Sequence, residues 1–443
     1  MELPKEFLIR MEKLVPNFDK FVYSYNNLPV KSFFINKNKI SEEDFLAHCS
    51  WNIEQSERGW QLLEDFKVGK TLEHHSGMIY MQELSAMMPT TFLPLKEDDW
   101  VIDLCASPGG KSIQVANRIK SGLLVSNEIV KSRANILKSN IERMGLYNVC
   151  VTNNNPKELE DCFGGIFDAV VVDAPCSGEG MFRKDDEAIL NWSQANVDAC
   201  AIRQYGILET ANKLLKQGGY LLYSTCTFSV EENEQQVANF CSRHNYEIVP
   251  LDYPNAQFGV KIGEYNTNYC LRFYPHQFNG EGQFVALLRK VEDCNQFISN
   301  EHYFKPINKM PTEYKAFKDF CEANLTQYQD ITSNAIFSGN TIYYATNKQI
   351  AESGVRLINC GVVLGDVVKG RFEPHHNFVT CFGNRFRQTI ELSEQDANKF
   401  IKGETLDCEL SGYVVVKYNG VVLGFGKSST GLKNHYPKGL RNV

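Results

Sequence analysis

The middle of the chain alternates β-branched runs with helical stretches, and this restricts the fold more than any other feature. WVIDLC (Trp100–Cys105), GLLVSNE (Gly122–Glu128), NVCVT (Asn148–Thr152), FDAVVVD (Phe167–Asp173) and GYLLYSTC (Gly219–Cys226) read as strands. Helical patterns over Lys111–Lys120, Lys131–Met144 and roughly Gln194–Lys216 separate them, and EENEQQVANFCSRH follows the last. Gly218-Gly219 is expected to cap the long helix. Strands this apolar are buried on both faces, which calls for helices on both sides of a mostly parallel sheet. The expected class is α/β with a doubly wound, Rossmann-like sheet. FVALLRK (Phe284–Lys290) is expected to close it as an edge strand.

Outside this region the patterning changes. Residues 1–74 are mixed, and residues 293–380 have weak periodicity, giving an N-terminal extension and a middle domain. From 381 to the end, LDCELS, YVVVKY and VVLGFG predict short strands, with a turn at Tyr418-Asn419-Gly420, hence a small β-rich module. The last eighteen residues contain Lys427, Lys433, Lys438 and Arg441 and no acid.

Composition narrows the class. No apolar run reaches the ~18–20 residues of a membrane span, and the N-terminal MELPKEFLIRMEKL lacks the apolar stretch of an export signal. A cytoplasmic protein without a membrane partner is expected. The 14 cysteines include no C-x-x-C pair, so zinc-ribbon and thioredoxin readings lose support. His74-His75 and His375-His376 lack accompanying ligands at metal-site spacing, and no metal is expected. A net charge of −7 argues against a protein that coats nucleic acid, though not against a local basic face. No coiled-coil seam is apparent, and a monomer is expected.

Reactive residues gather where the strands end. Open α/β sheets bind ligands at the carboxyl ends of their strands. The first strand runs into CASPGGKS, whose small residues let backbone approach a ligand. A phosphate loop would want glycine where Cys105 stands, and no G-x-G-x-x-G occurs. Glu128 ends the second strand, where an acid suits ribose hydroxyls. The fourth strand ends in Asp173-Ala-Pro-Cys176 and the fifth in Cys226-Thr227. Neighbouring strands are ~4.8 Å apart, so two thiols and an acid share one small volume. That set suits covalent chemistry on an electron-poor ring.

These residues lie in QELSAMMP (Gln82–Pro89), DLCASPGGK (Asp103–Lys111), DAPCSGEGMFRKD (Asp173–Asp185) and YSTCTFSVEENE (Tyr223–Glu234). Over about residues 75–290 the chain resembles the Sun/Fmu-type RNA (cytosine-5) methyltransferases. RFYPHQFNGEGQFVALLRK and GFGKSSTGLKNHYPKGLR resemble the bacterial ribosomal small-subunit methyltransferase F subgroup. The resemblance implies an S-adenosylmethionine-dependent domain over 75–292, a PUA-like RNA-binding module over 381–443, an RNA-binding role for 1–74, and cytosine in 16S rRNA as substrate. It implies that the backbone of Cys105, Ala106, Ser107, Pro108, Gly109, Gly110 and Lys111 wraps the methionine part of the cofactor and that Glu128 holds the ribose. Asp173 would face both methyl donor and base. Cys226 matches the nucleophile, Cys176 the cysteine that assists product release, and Lys184 a basic element toward RNA. Asn155 stands where the family often has an acid near the adenine. The basic tail residues Lys427, Lys433, Lys438 and Arg441 would contact RNA. A tRNA cytosine and a non-catalytic ribosome-assembly role are the alternatives.

Overall fold

The computed structural model describes residues 2–291, 313–345 and 354–441. Residues 293–312 and 346–353 of the expected middle domain, and 442–443 of the tail, lie outside the described residues. The alternating region forms the central sheet. Its strands are labelled β1 (Trp100–Asp103), β2 (Leu123–Asn127), β3 (Val149–Thr152), β4 (Phe167–Asp173), β5 (Leu215–Thr225), β6 (Tyr246–Ile248), β7 (Gln257–Phe258), β8 (Leu271–Phe273), β9 (Gln283–Lys290) and β10 (Leu357–Cys360). Their order is β7-β8-β9-β5-β4-β1-β2-β3-β10, with β6 also on β9. Strands β3, β2, β1, β4 and β5 run parallel. The order reverses between β1 and β4, so a crevice opens outside their carboxyl ends.

Three local expectations need correcting. β9 is not an edge strand: it lies between β5 and β8, antiparallel to both. A single apolar strand does not reveal its neighbours, and β8 covers it through pairs such as Arg272 with Phe284. Gly218-Gly219 does not cap the long helix, which runs Gln194–Leu214. The glycines lie inside β5, at a register shift opposite β4. A Cβ at Gly219 would come within 2.8 Å of the Asp168 carbonyl oxygen, so strand β4 approaches where only glycine fits. LDCELS forms no strand beyond an isolated bridge from Leu406 to Leu432. The expected Tyr418-Asn419-Gly420 turn is present, with Asn419 at φ 47° and Gly420 at φ 73°, joining Gly412–Tyr418 to Val421–Ser428.

Segments distant in sequence share cores. Four antiparallel strands between Ser32 and Met81 form an N-terminal sheet. Its Phe33 and Ile79 belong to one buried cluster with Phe400, Val414 and Tyr436 of the C-terminal module. Phe320 and Phe378 share another with Val415 and Phe425. The N-terminal helix Lys5–Leu14 buries Phe7, whose ring lies 5.1 Å from Phe182 and 5.9 Å from Trp192. The chain's first turn thus packs behind the loop that follows β4. Met87 and Met88 are fully buried core residues. Among the described residues no helix is long and apolar enough to cross a membrane.

Candidate active site

The crevice at the switch point is a cavity of about 1100 Å³. Cys105, Glu128, Asn155, Asp173, Cys176 and Cys226 all line it. The turn after β1 is held by bonds from β2 and from the helix Lys131–Met144. Ala106 N–H donates to the Asn127 carbonyl (2.9 Å), Arg133 donates to the Ser107 carbonyl (3.1 Å), and Asn140 donates to the Pro108 carbonyl (2.9 Å). Gly109 has φ 120°, a conformation that disfavours side chains. Gly110 starts the helix Gly110–Ala116 against Gln82, where a Cβ would come within 2.7 Å of the Gln82 amide. QELSAMMP therefore supports the loop instead of entering the cavity.

The acids have distinct settings. The Glu128 side chain is 4% exposed, accepts from Val130 N–H at 2.9 Å and lies 3.6 Å from the Arg133 guanidinium. Asp173 Oδ2 is 2.8 Å from Lys111 Nζ. Its Oδ1 accepts from Ser224 Oγ (2.7 Å) and Gln283 Nε2 (3.2 Å). Asp103, beneath them, accepts from Ser112 Oγ at 2.7 Å, and burial pushes its carboxyl up to about 7. Asn155 caps the short helix Pro156–Leu159, its Oδ1 accepting from Lys157 N–H at 3.1 Å. Neighbouring Asn153 donates to the Glu128 and Ile129 carbonyls, fixing the β3 and β2 ends together.

Cys176 Sγ lies 3.1 Å from Cys226 Sγ. Contact with Cys226, then burial, pushes the Cys176 thiol well above its usual range. The two loops are joined below the sulfurs. Ser177 Oγ and Thr227 Oγ1 are 2.8 Å apart. Glu232 accepts from Ser177 N–H (3.0 Å), from the Ser177 hydroxyl, and from Gln204 Nε2 (2.9 Å). Gly180 N–H donates to the Cys226 carbonyl at 2.8 Å. Glu179 accepts from Phe228 N–H (2.8 Å), Ser229 Oγ (2.7 Å) and Trp192 Nε1 (3.0 Å). A buried Arg272–Glu234 pair holds the far end of this loop, with Arg272 donating to the Phe228 carbonyl at 2.7 Å.

The remaining expected residues lie away from the sulfurs. Lys184 is 3.8 Å from Glu281. Lys427 lies 5.0 Å from the centre of the Tyr413 ring. Lys433 is on the strand Leu432–Asn434, Lys438 in the short helix Lys438–Leu440, and Arg441 donates to the Tyr436 carbonyl at 3.1 Å. Asp103, Ser177, Gln204, Glu232 and Gln283 also belong to the site, without having been expected there. Glu232 looks like one more solvated acid in VEENE, yet it is fully buried, whereas its neighbour Glu231 pairs with Arg10 at 2.6 Å. The helix expected over EENEQQVANFCSRH runs Glu234–Cys241. Burial of Glu232 and Glu234 beside the half-buried Glu231 leaves no local sequence signal.

Comparison with known proteins decides the family. Residues 90–289 match the family described as 16S rRNA methyltransferase RsmB/F. Residues 3–84 match the N-terminal domain of 16S rRNA methyltransferase RsmF, 319–382 the RsmF rRNA methyltransferase first C-terminal domain, and 387–442 the methyltransferase RsmF PUA domain. Ribosomal RNA small subunit methyltransferase F of Vibrio vulnificus is 33% identical over 99% of this chain and 97% of its own length. The chain belongs to the 16S rRNA methyltransferase RsmB/F family. The same-named protein of Aeromonas salmonicida is 32% identical over the same shares. A methyltransferase homologue from Pyrococcus horikoshii has a TM-score of 0.55 at 26% identity, over 65% of this chain and all of that one. NSun6 from Pyrococcus horikoshii, solved with SFG, shares the fold at a TM-score of 0.56 and 22% identity, over 66% of this chain and 99% of its own.

Membership in the RsmB/F family brings S-adenosylmethionine as methyl donor, and the residues present fit it. A buried acid follows β2, a small-residue loop follows β1, and Asp173 stands in the same cavity, a donor set that fits a nucleoside cofactor with a cationic sulfur.

Proposed function

We propose that this chain methylates carbon 5 of a cytosine in small-subunit ribosomal RNA through a covalent adduct. The 3.1 Å contact of Cys176 with Cys226, beside Asp173 in one cavity, carries this reading. Glu128 and the Cys105–Lys111 loop would hold the cofactor, with Asn155 at the adenine end. When bound, S-adenosylmethionine supplies an electrophilic methyl group.

Carbon 5 of cytosine is too weakly nucleophilic to accept that group unaided. The Cys226 thiolate adds to carbon 6 and makes the ring enamine-like. Asp173 accepts from the amine, and a proton passed from its Lys111 partner through the carboxyl is given to N3 as the thiolate adds. Once Cys226 is bonded to carbon 6, its charge no longer opposes ionisation of Cys176. Once carbon 5 carries the methyl group, Cys176 is placed to take the carbon 5 proton, directly or through water, and the N3 proton returns to Asp173 as the carbon–sulfur bond breaks and Cys226 leaves as thiolate. The base must leave any stack to reach this cavity, so the substrate is single-stranded or locally opened RNA. Lys184, Lys427, Lys433, Lys438 and Arg441 are the basic groups assigned to RNA. The chain would act in the cytoplasm as a monomer.

The test is the Cys176→Ala protein purified from bacteria and run in SDS with thiol present. RNA is expected to stay covalently attached and to be lost when Cys226 is also changed to Ala. Sequencing the trapped RNA separates a 16S rRNA target from a tRNA. Unimpaired methyl transfer in Cys226→Ala would overturn the mechanism.

A further inference from the structure

Beneath the two sulfurs, one carboxylate joins both cysteine loops. Cys176 is followed by Ser177, and Cys226 by Thr227. Glu232 accepts both hydrogens that Ser177 offers, from N–H at 3.0 Å and from the hydroxyl. The Ser177 and Thr227 oxygens are 2.8 Å apart. Gln204 completes the set, with Nε2 2.9 Å from Glu232 and 3.1 Å from the Pro175 carbonyl, just before Cys176. The Tyr223 hydroxyl donates to the Glu232 carbonyl at 2.5 Å, fixing the residue's own backbone to β5. Glu232, Ser177, Thr227 and Gln204 are all buried. Glu232 thus bonds Ser177 directly, and reaches Thr227 through Ser177 and the Pro175 carbonyl through Gln204.

We infer that Glu232 is a positioning residue that sets the approach of the Cys176 and Cys226 sulfurs. Its importance to turnover rests on the two-cysteine reading; its control of geometry does not. A buried carboxylate taking three donors is an effective clamp because each loss leaves a donor unpaired away from water. Burial holds its own carboxyl up to about 7, against the bonds from Ser177 and Gln204, which favour the charged form.

Glu232→Gln keeps shape and one carbonyl oxygen but turns the other acceptor into a donor facing Ser177. Ser177→Ala removes only the hydroxyl leg and keeps the fold should the first variant be unstable. Sulfur–sulfur approach is read directly with diamide: two thiols each lose a hydrogen, one disulfide forms, and the azo compound becomes a hydrazine. Peptide mapping follows the 176–226 disulfide over time. The Cys150–Cys360 thiols, 3.3 Å apart and remote from Glu232 in sequence and contact, serve as the internal reference. Relative to that reference, Glu232→Gln is expected to form the 176–226 disulfide about tenfold more slowly, and Ser177→Ala more slowly by a smaller factor. Cofactor affinity by calorimetry is expected to be unchanged, while methyl transfer falls in kcat and not in KM for RNA. Wild-type disulfide rates in both variants would overturn the positioning role, whatever the activity. Slowed disulfide formation with unimpaired methyl transfer would leave the clamp standing and overturn the two-cysteine reading instead.

Discussion

Lys111 Nζ lies 2.8 Å from Asp173 Oδ2, joining the helix after β1 to the end of β4 across the switch point. The Lys111 side chain is 7% exposed and that of Asp173 36%, so the acid faces the cavity and the lysine supports it from behind. Backbone around Lys111 is expected to wrap the cofactor, and its side chain pairs with the acid beside the cysteines.

Lys111→Met is expected to leave the carboxylate without its cation and to misplace it. Methyl transfer should fall about 10²-fold or more, as for loss of a preorganised electrostatic group. Single-turnover methyl transfer to small-subunit rRNA measures this. Activity within about threefold of wild type would remove Lys111 from the reaction.

Burial raises the Asp103 carboxyl from 3.8 to about 7, and the bond from Ser112 opposes that only in part. The fold therefore favours the protonated acid. Its contribution to stability is full below the unfolded pKa and is lost as pH rises through about 7. Asp103→Asn keeps an acceptor for Ser112 and removes this loss. Relative to wild type it should gain on the order of 4 kcal/mol at about pH 8 and less than about half of that at about pH 5. Thermal melting across that range measures the gain.

Gly180 packs against the backbone that carries Cys226. A Cβ there would lie 2.9 Å from the Cys226 carbonyl oxygen and 3.0 Å from that of Gly282. Gly180→Ala should destabilise by about 1–3 kcal/mol and depress methyl transfer while cofactor binding persists. Melting, calorimetry and turnover together distinguish this from general unfolding.

Arg272 and Glu234 are both fully buried, and Arg272 also holds the Phe228 carbonyl. Arg272→Leu should cost about 3–5 kcal/mol by leaving the carboxylate unpaired. Adding Glu234→Leu should recover part of that cost. Urea unfolding of the single and double variants tests the coupling.

The sheet was legible because its signals are local. Three valines before Asp173, the small-residue turn at Cys105–Gly110 and the regular strand–helix alternation each act within a few residues, and burial on both faces demands that pattern. The two thiols were likewise readable, since each follows a strand whose partner the alternation predicts. The place of β9 was not, because a strand's apolarity does not name its neighbours. Nor was the sharing of cores between Phe33 and Phe400, residues in segments separated by the whole catalytic sheet.

By itself the sequence determined the α/β class, the switch-point crevice and the identity of its acid and thiols. Only the tertiary structure decided that Lys111 pairs with Asp173, that β10 extends the sheet beyond β3, and that Glu232 is buried under both cysteines while Glu231 meets Arg10 at the surface. The reason is physical. Periodicity encodes which face of an element is dry, but a buried charge is settled by partners from other elements, and those meet only when the chain has closed around them.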